Sequence, residues 1–192
     1  LVAFNAPKLK EVGYGIQFNA TSLKDIYLPE LVLINQSNKN NGDYYSTDSD
    51  DSNFILNNSL LENINLSKLE NYAYLFEIQN NPKITRLNFS SIQNSVGRSN
   101  HKNLLRILNN DLLDEIIFGS TDLEFRVRIY NNPALTSIEF PNAGVMTNSG
   151  IEIYNNAILT SIQIPNATEI TTLSIYNNPE LQNLSFPAIE KV

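Results

Sequence analysis

The chain of 192 residues has no cysteine, no tryptophan, one methionine and one histidine. Without cysteine there is no disulfide framework and no thiolate site, so packing and hydrogen bonds must hold the fold. The single histidine, His101, leaves a histidine relay or an imidazole metal centre without a second member. Basic residues are also scarce: 13 Lys and Arg stand against 20 Asp and Glu, for a formal net charge of −7 and a pI near 4.7. That balance argues against nucleic acid as partner, because binding a phosphate backbone requires a cationic surplus that releases counterions. No run approaches the roughly 18 consecutive apolar residues of a membrane helix, so no membrane insertion is expected of this segment. No leader is visible. The chain starts at Leu1 rather than Met, and is expected to be a processed product or a fragment truncated at both ends.

What is present is asparagine in abundance, enough apolar residues for a core (42%), and an internal repeat. The phrase Ile175-Tyr176-Asn177-Asn178-Pro179-Glu180-Leu181 recurs at 129–135, 153–159 and 78–84 with small changes. Aligned on the first Asn, the copies fall at Asn57, Asn80, Asn109, Asn131, Asn155 and Asn177, with steps of 23, 29, 22, 24 and 22 residues. A period in the low twenties with regular apolar spacing marks a solenoid, one coil per repeat. The whole unit reads Leu173-x-Ile175-x-Asn177-Asn178-Pro179-x-Leu181-x-x-Leu184-x-Phe186-Pro187-x-Ile189-x-x-Val192.

The repeat is looser toward the N-terminus. Phe4, Leu9 and Val12 are aligned with Phe186, Ile189 and Val192. Residues 13–34 form a degenerate unit whose Asn pair has become Asn19-Ala20. Residues 35–52 are polar and rich in Asn, Asp and Ser, the composition of an extruded loop, and a smaller insertion near 93–103 explains the 29-residue step. The chain thus reads as one repeat domain, with regular coils over 53–192.

Within a unit the apolar period is two: Leu173 and Ile175 alternate with Ser174 and Tyr176, and Leu184 and Phe186 with Asn183 and Ser185. Each pair predicts a short strand with one buried face. No unit carries ten residues of helical period, so two or more parallel sheets with almost no helix are expected. In the Asn-Asn-Pro turn, the first Asn is expected to point inward and cap the turn, repeating as a ladder, while the second suits a left-handed corner. Where Pro follows, the second Asn should instead be extended.

This repeat is similar to that of receptor L domains, the leucine-rich-repeat-like lobes of insulin-type and epidermal-growth-factor-type receptors. It also resembles fungal cell-wall proteins and cysteine-free, Asn-rich surface proteins of the Bacteroidetes type. Residues 127–192 match best, 53–126 well and 1–34 loosely. The resemblance implies a right-handed all-β solenoid of about seven coils in a secreted or cell-surface protein. It supplies no ligand-binding residue.

Candidate chemistry lies on outward positions. One column of the first strand runs Glu77, Arg106, Arg128, Glu152, Ser174; the next runs Gln79, Leu108, Tyr130, Tyr154, Tyr176. Tyr brings large area and a polar tip, so three stacked tyrosines beside a charged column form a candidate recognition strip for a sugar or a protein. The plainer account of the same residues is cross-strand packing and surface ion pairing. A threonine column, Thr85, Thr136 and Thr160, is interrupted at Asp114 and Gln182 and so does not build an ice-matching array. Asp48, Asp50 and Asp51 offer oxygen ligands for Ca²⁺ but lack the glycine and distal Glu of an EF-hand loop. Seven Asn-x-Ser/Thr sequons, at Asn19, Asn35, Asn57, Asn65, Asn88, Asn166 and Asn183, are what an Asn- and Ser-rich chain produces by chance. Catalysis has little support, and no cofactor is called for. Glu77, Arg106, Arg128 and Glu152 imitate the outward carboxylates and bases of polysaccharide-cleaving β-helices, but a solvated ion-pair column explains them as well. The expectation is a non-catalytic binding or adhesion module for a protein or glycan ligand, against two alternatives: a structural spacer and a polysaccharide-active enzyme.

Overall fold

Alternating apolar residues too short for helices, punctuated by Asn and Pro, give a chain of short strands. The computed structural model describes residues 2–13, 15–19, 22–34, 52–72, 75–92, 94–95, 104–119, 125–146 and 150–192. Among them no helix occurs, and hence none long and apolar enough to cross a membrane. Every strand pairing is parallel and links one repeat to the next, the arrangement expected of a parallel β-solenoid.

The strands fall on three faces. The main sheet has seven, in spatial order Ile16–Asn19, Ser52–Asn57, Leu75–Gln79, Leu104–Leu108, Arg126–Tyr130, Ile151–Tyr154 and Leu173–Tyr176. A second face carries a three-stranded sheet beginning at Ala3–Asn5 and a five-stranded sheet from Arg86–Phe89 to Asn183–Ser185. Two-residue strands such as Leu33–Ile34, Asn71–Tyr72 and Val145–Met146 make a third face, which the period-two reading misses because two residues define no period.

Register follows the repeat alignment. Asn19 lies opposite Asn57, Ile107 opposite both Ile78 and Ile129, and Tyr154 opposite both Tyr130 and Tyr176. One alignment is corrected. Phe4 pairs with Ile26, not Leu28, so it occupies the place of Leu184, and Ala6-Pro7 corresponds to Phe186-Pro187. The shift is two residues, which preserves the buried face and so escapes a pattern-based alignment.

Inward-facing residues form one core along the stack, from Leu23 and Ile26 to Ile164 and Ile170. Because every coil repeats the same inward position, like side chains meet. Phe54 stacks on Phe76 at 4.3 Å, and Phe118 on Phe140 at 4.4 Å. Those distances lie close to the 4.7–4.9 Å separation of adjacent strands, so in-register rings stack without further adjustment.

The Asn pair reverses the inward and corner roles expected of it, while a second Asn before Pro is, as expected, not at the left-handed corner. The first Asn (Asn80, Asn109, Asn131, Asn155 and Asn177) takes the left-handed corner, with φ between 53° and 57°. The second (Asn58, Asn81, Asn110, Asn132 and Asn156) is fully buried and builds the ladder. Each inner Asn Oδ1 accepts from the backbone N–H of the inner Asn before it: Asn110 N to Asn132 Oδ1 at 3.1 Å, Asn132 N to Asn156 Oδ1 at 3.1 Å. In Asn81, Asn110, Asn132 and Asn156 the Nδ2 donates to a carbonyl two residues earlier and to one in the preceding repeat; Asn132 reaches Tyr130 O at 3.1 Å and Ile107 O at 3.2 Å. The corner lies on the first residue whether Pro follows the pair (Asn80, Asn131, Asn177) or not (Asn109, Asn155), so the feature common to the copies is the inward ladder of the second Asn, with Pro only further disfavouring the helical region there. Asn tolerates positive φ better than other side chains that bear a Cβ.

Candidate functional site

The outward face of the main sheet holds the candidate strip. Ring centroids of Tyr130 and Tyr154 lie 4.6 Å apart with planes 7° apart; Tyr154 and Tyr176 are 4.7 Å and 4° apart. The parallel register sets this spacing, since all three tyrosines precede the same corner. Leu108 continues the row on the far side of Tyr130 and is nearly buried. Tyr176 is 47% exposed, while Tyr130 and Tyr154 are half-buried. Burial between its neighbours, and then the neighbouring phenols, raises the Tyr154 hydroxyl above the usual tyrosine range. It therefore remains a protonated donor at neutral pH.

This geometry changes what the tyrosines can do. The faces of Tyr154 are taken by Tyr130 and Tyr176, so the row presents ring edges and hydroxyls outward rather than open platforms. A sugar ring has no free face to cover in the middle of the row.

The charged column stands beside it in the expected register: Glu77, Arg106, Arg128, Glu152, Ser174. Arg106 is ion-paired through Nε and Nη2 to Glu77, whose carboxylate is almost wholly buried despite its outward position. Glu152 is held by two arginines. Arg128 Nε approaches Oε2 at 2.9 Å and its Nη2 donates to Oε1 at 3.1 Å, while Arg126 Nη2 donates to Oε1 at 2.7 Å. Partial burial opposes ionisation of Glu152, but the hydrogen bonds from Arg128 and then Arg126 outweigh it and hold the carboxyl below its ordinary value. Arg126, which precedes the column by two residues, was not singled out by sequence.

The remaining candidates separate from the strip. The Thr136 and Thr160 hydroxyls are used within the stack, donating to Asp114 O at 3.2 Å and Thr136 O at 3.0 Å. Asn65 and Asn88 accept the backbone N–H of Ser67 and Ser90 at 3.0 and 2.9 Å, so these Asn-x-Ser triplets form side-chain-capped turns. Asp48, Asp50, Asp51 and His101 lie outside the described residues. Among the described residues no cluster of three His, Cys, Asp or Glu could hold a metal ion. Comparison with protein-family models, with curated proteins and with solved structures found no match.

Proposed function

We propose that this chain is a non-catalytic recognition or adhesion module of an extracellular or cell-surface protein. In this reading it is a right-handed β-solenoid of about seven coils, similar to receptor L domains and leucine-rich-repeat-like surface proteins. A protein or glycan ligand is bound on the strip formed by Tyr130, Tyr154, Tyr176, Arg106, Arg128 and Glu152.

The observation that carries this reading is the tyrosine row. Ile at the inward position fills the core, the inner Asn satisfies the turn and the outer Asn makes the corner. None of these tasks requires Tyr at the outward position, where Gln79 and Leu108 serve earlier in the same column. A rigid row of aromatic edges with polar tips, beside fixed arginines, has the composition that is enriched at protein recognition surfaces.

The test is a glycan-array and surface-protein capture screen with the wild-type chain and with Tyr130→Ala/Tyr154→Ala/Tyr176→Ala. The proposal expects a captured ligand and its loss in the variant, with the variant still folded. Capture that persists unaltered in the variant reduces the row to sheet packing. No capture by either protein favours a spacer.

A further inference from the structure

The strip holds unequal charge. Among the described residues, three guanidinium groups, Arg106, Arg126 and Arg128, face two carboxylates, Glu77 and Glu152, leaving one positive charge in a chain whose net charge is −7. Depth sharpens the imbalance. The arginine side chains are each about one-third exposed (32%, 33% and 31%), whereas those of Glu77 and Glu152 are 3% and 22% exposed. The arginine side chains thus keep more solvent exposure than the carboxylates they pair with, although Arg128 Nε is itself buried. Arg106 and Arg128 are direct register partners on adjacent strands, an arrangement of like charges that is unfavourable unless compensated. Their carboxylates compensate them from opposite sides, Glu77 from the preceding strand and Glu152 from the following one. Among the described residues these two carboxylates are the ion-pair partners of the three arginines. The phenol hydroxyls of the neighbouring column add donors one position away.

We propose that these arginines form an anion-binding subsite, and that its occupant is a carboxylate on an acidic protein segment, an Asp- or Glu-bearing strand or loop of the partner. The inference rests on the proposed recognition strip and names its partner class. A carboxylate matches the planar, paired N–H groups of a guanidinium. A protein is favoured over a glycan because both faces of Tyr154 and the inner faces of Tyr130 and Tyr176 are stacked on one another, leaving along most of the row edges and hydroxyls suited to backbone carbonyls and carboxylates rather than to a sugar ring. The paired carboxylates act as positioning groups that hold the arginines in place, which lowers the entropy lost on binding.

The experiment measures binding of a fluorescent peptide of alternating Asp and Ser, an oligogalacturonate of equal charge and a neutral Asn-Ser peptide. It is done at low ionic strength, where exposed charges are least screened. Two variants are chosen to spare the fold. Arg128→Gln leaves Glu152 paired to Arg126, and Glu77→Gln/Arg106→Gln removes a buried pair together rather than stranding one charge. Arg86→Gln, in an exposed pair with Glu115 on the second face, is the control. The expected result is binding of the acidic peptide, weakened about tenfold or more by each strip variant, the loss of one charge-assisted contact, and unchanged by Arg86→Gln. Equal or tighter binding of the oligogalacturonate overturns the choice of a protein. Equal weakening by Arg86→Gln, or no binding of the acidic peptide, overturns the subsite itself. If the tyrosine variant abolishes ligand capture while Arg128→Gln does not, the recognition strip stands and this inference falls.

Discussion

Replacing Asn132 by Ala tests the inner ladder where it is deepest. The side chain accepts from Asn110 N and Asn110 Nδ2, both at 3.1 Å, and donates to Ile107 O and Tyr130 O. Truncation leaves the buried Asn110 N–H without its acceptor, at about 1–3 kcal/mol, and each carbonyl loses one bond worth about 0.5–1.5 kcal/mol. A small void adds to this. The expected loss is therefore about 3–5 kcal/mol, a large part of a domain's usual stability. Asn131, its neighbour, is exposed and holds φ at 56°, and its Nδ2 bond to Asn109 Oδ1 is a surface contact. Asn131→Ala should cost about 1–2 kcal/mol, for placing an ordinary side chain in the left-handed corner, and Asn131→Gly still less. Urea unfolding followed by far-UV circular dichroism reads both, provided the transition slope is unchanged, because repeat stacks can lose cooperativity. Equal costs for Asn131→Ala and Asn132→Ala, or a loss below about 1 kcal/mol for Asn132→Ala, would refute the assignment of inner and outer roles.

Other positions give independent checks. Tyr154→Ala removes two stacked neighbours and Tyr176→Ala one, so with pair energies of about 0.5–1.5 kcal/mol the first should destabilise about twice as much; a thermal-melt series in which Tyr176→Ala costs more contradicts the stack. Tyr72 is buried in the core against Phe76 and Phe125, and its hydroxyl has no hydrogen-bond partner among the described residues. Tyr72→Phe should thus be neutral or about 1 kcal/mol more stable, and a clear loss would reveal a hidden partner. At Gly119, an added Cβ would stand 2.1 Å from the backbone oxygen of Ser90, so Gly119→Ala should cost about 1–3 kcal/mol or more by overpacking, measured as a lowered urea midpoint. Because the folded state lowers the Glu152 pKa, its contribution is present above the ordinary value of 4.5 and is lost as pH falls through the depressed folded value. Glu152→Gln should accordingly flatten the acid side of the stability–pH profile, and an unchanged profile would show that the arginine contacts contribute nothing.

Most of the architecture was legible because a solenoid writes its register into its period. Once Asn80, Asn109, Asn131, Asn155 and Asn177 were aligned, the opposition of Arg106 to Arg128 and of Tyr130 to Tyr154 followed, and the strand pairings have that register. Three things were not legible. The roles within Asn-Asn depend on which residue absorbs the positive φ, a contest between two identical side chains that local sequence does not decide, since the first takes it with Pro following (Asn131) and without (Asn109, Asn155). The offset of Phe4 by two residues preserves the alternation, so apolar pattern alone cannot detect it. The depth of Glu77 is a third case: outward alternation predicts a solvated carboxylate, but its pairing with Arg106 accompanies near-complete burial. The tyrosine column was visible in sequence, whereas its consequence was not. Rings spaced at the strand separation close their faces on one another, and that fact moves the expected ligand away from a stacked sugar.

The most direct test of the recognition strip is hydroxyl-radical footprinting of the chain with whatever ligand the capture screen returns, because oxidation reports on tyrosine side chains individually. The account predicts protection at Tyr130, Tyr154 and Tyr176, with Tyr27 on the second face unchanged. Protection at Tyr27 with unaltered oxidation of the three stacked tyrosines would place recognition on another face and contradict it.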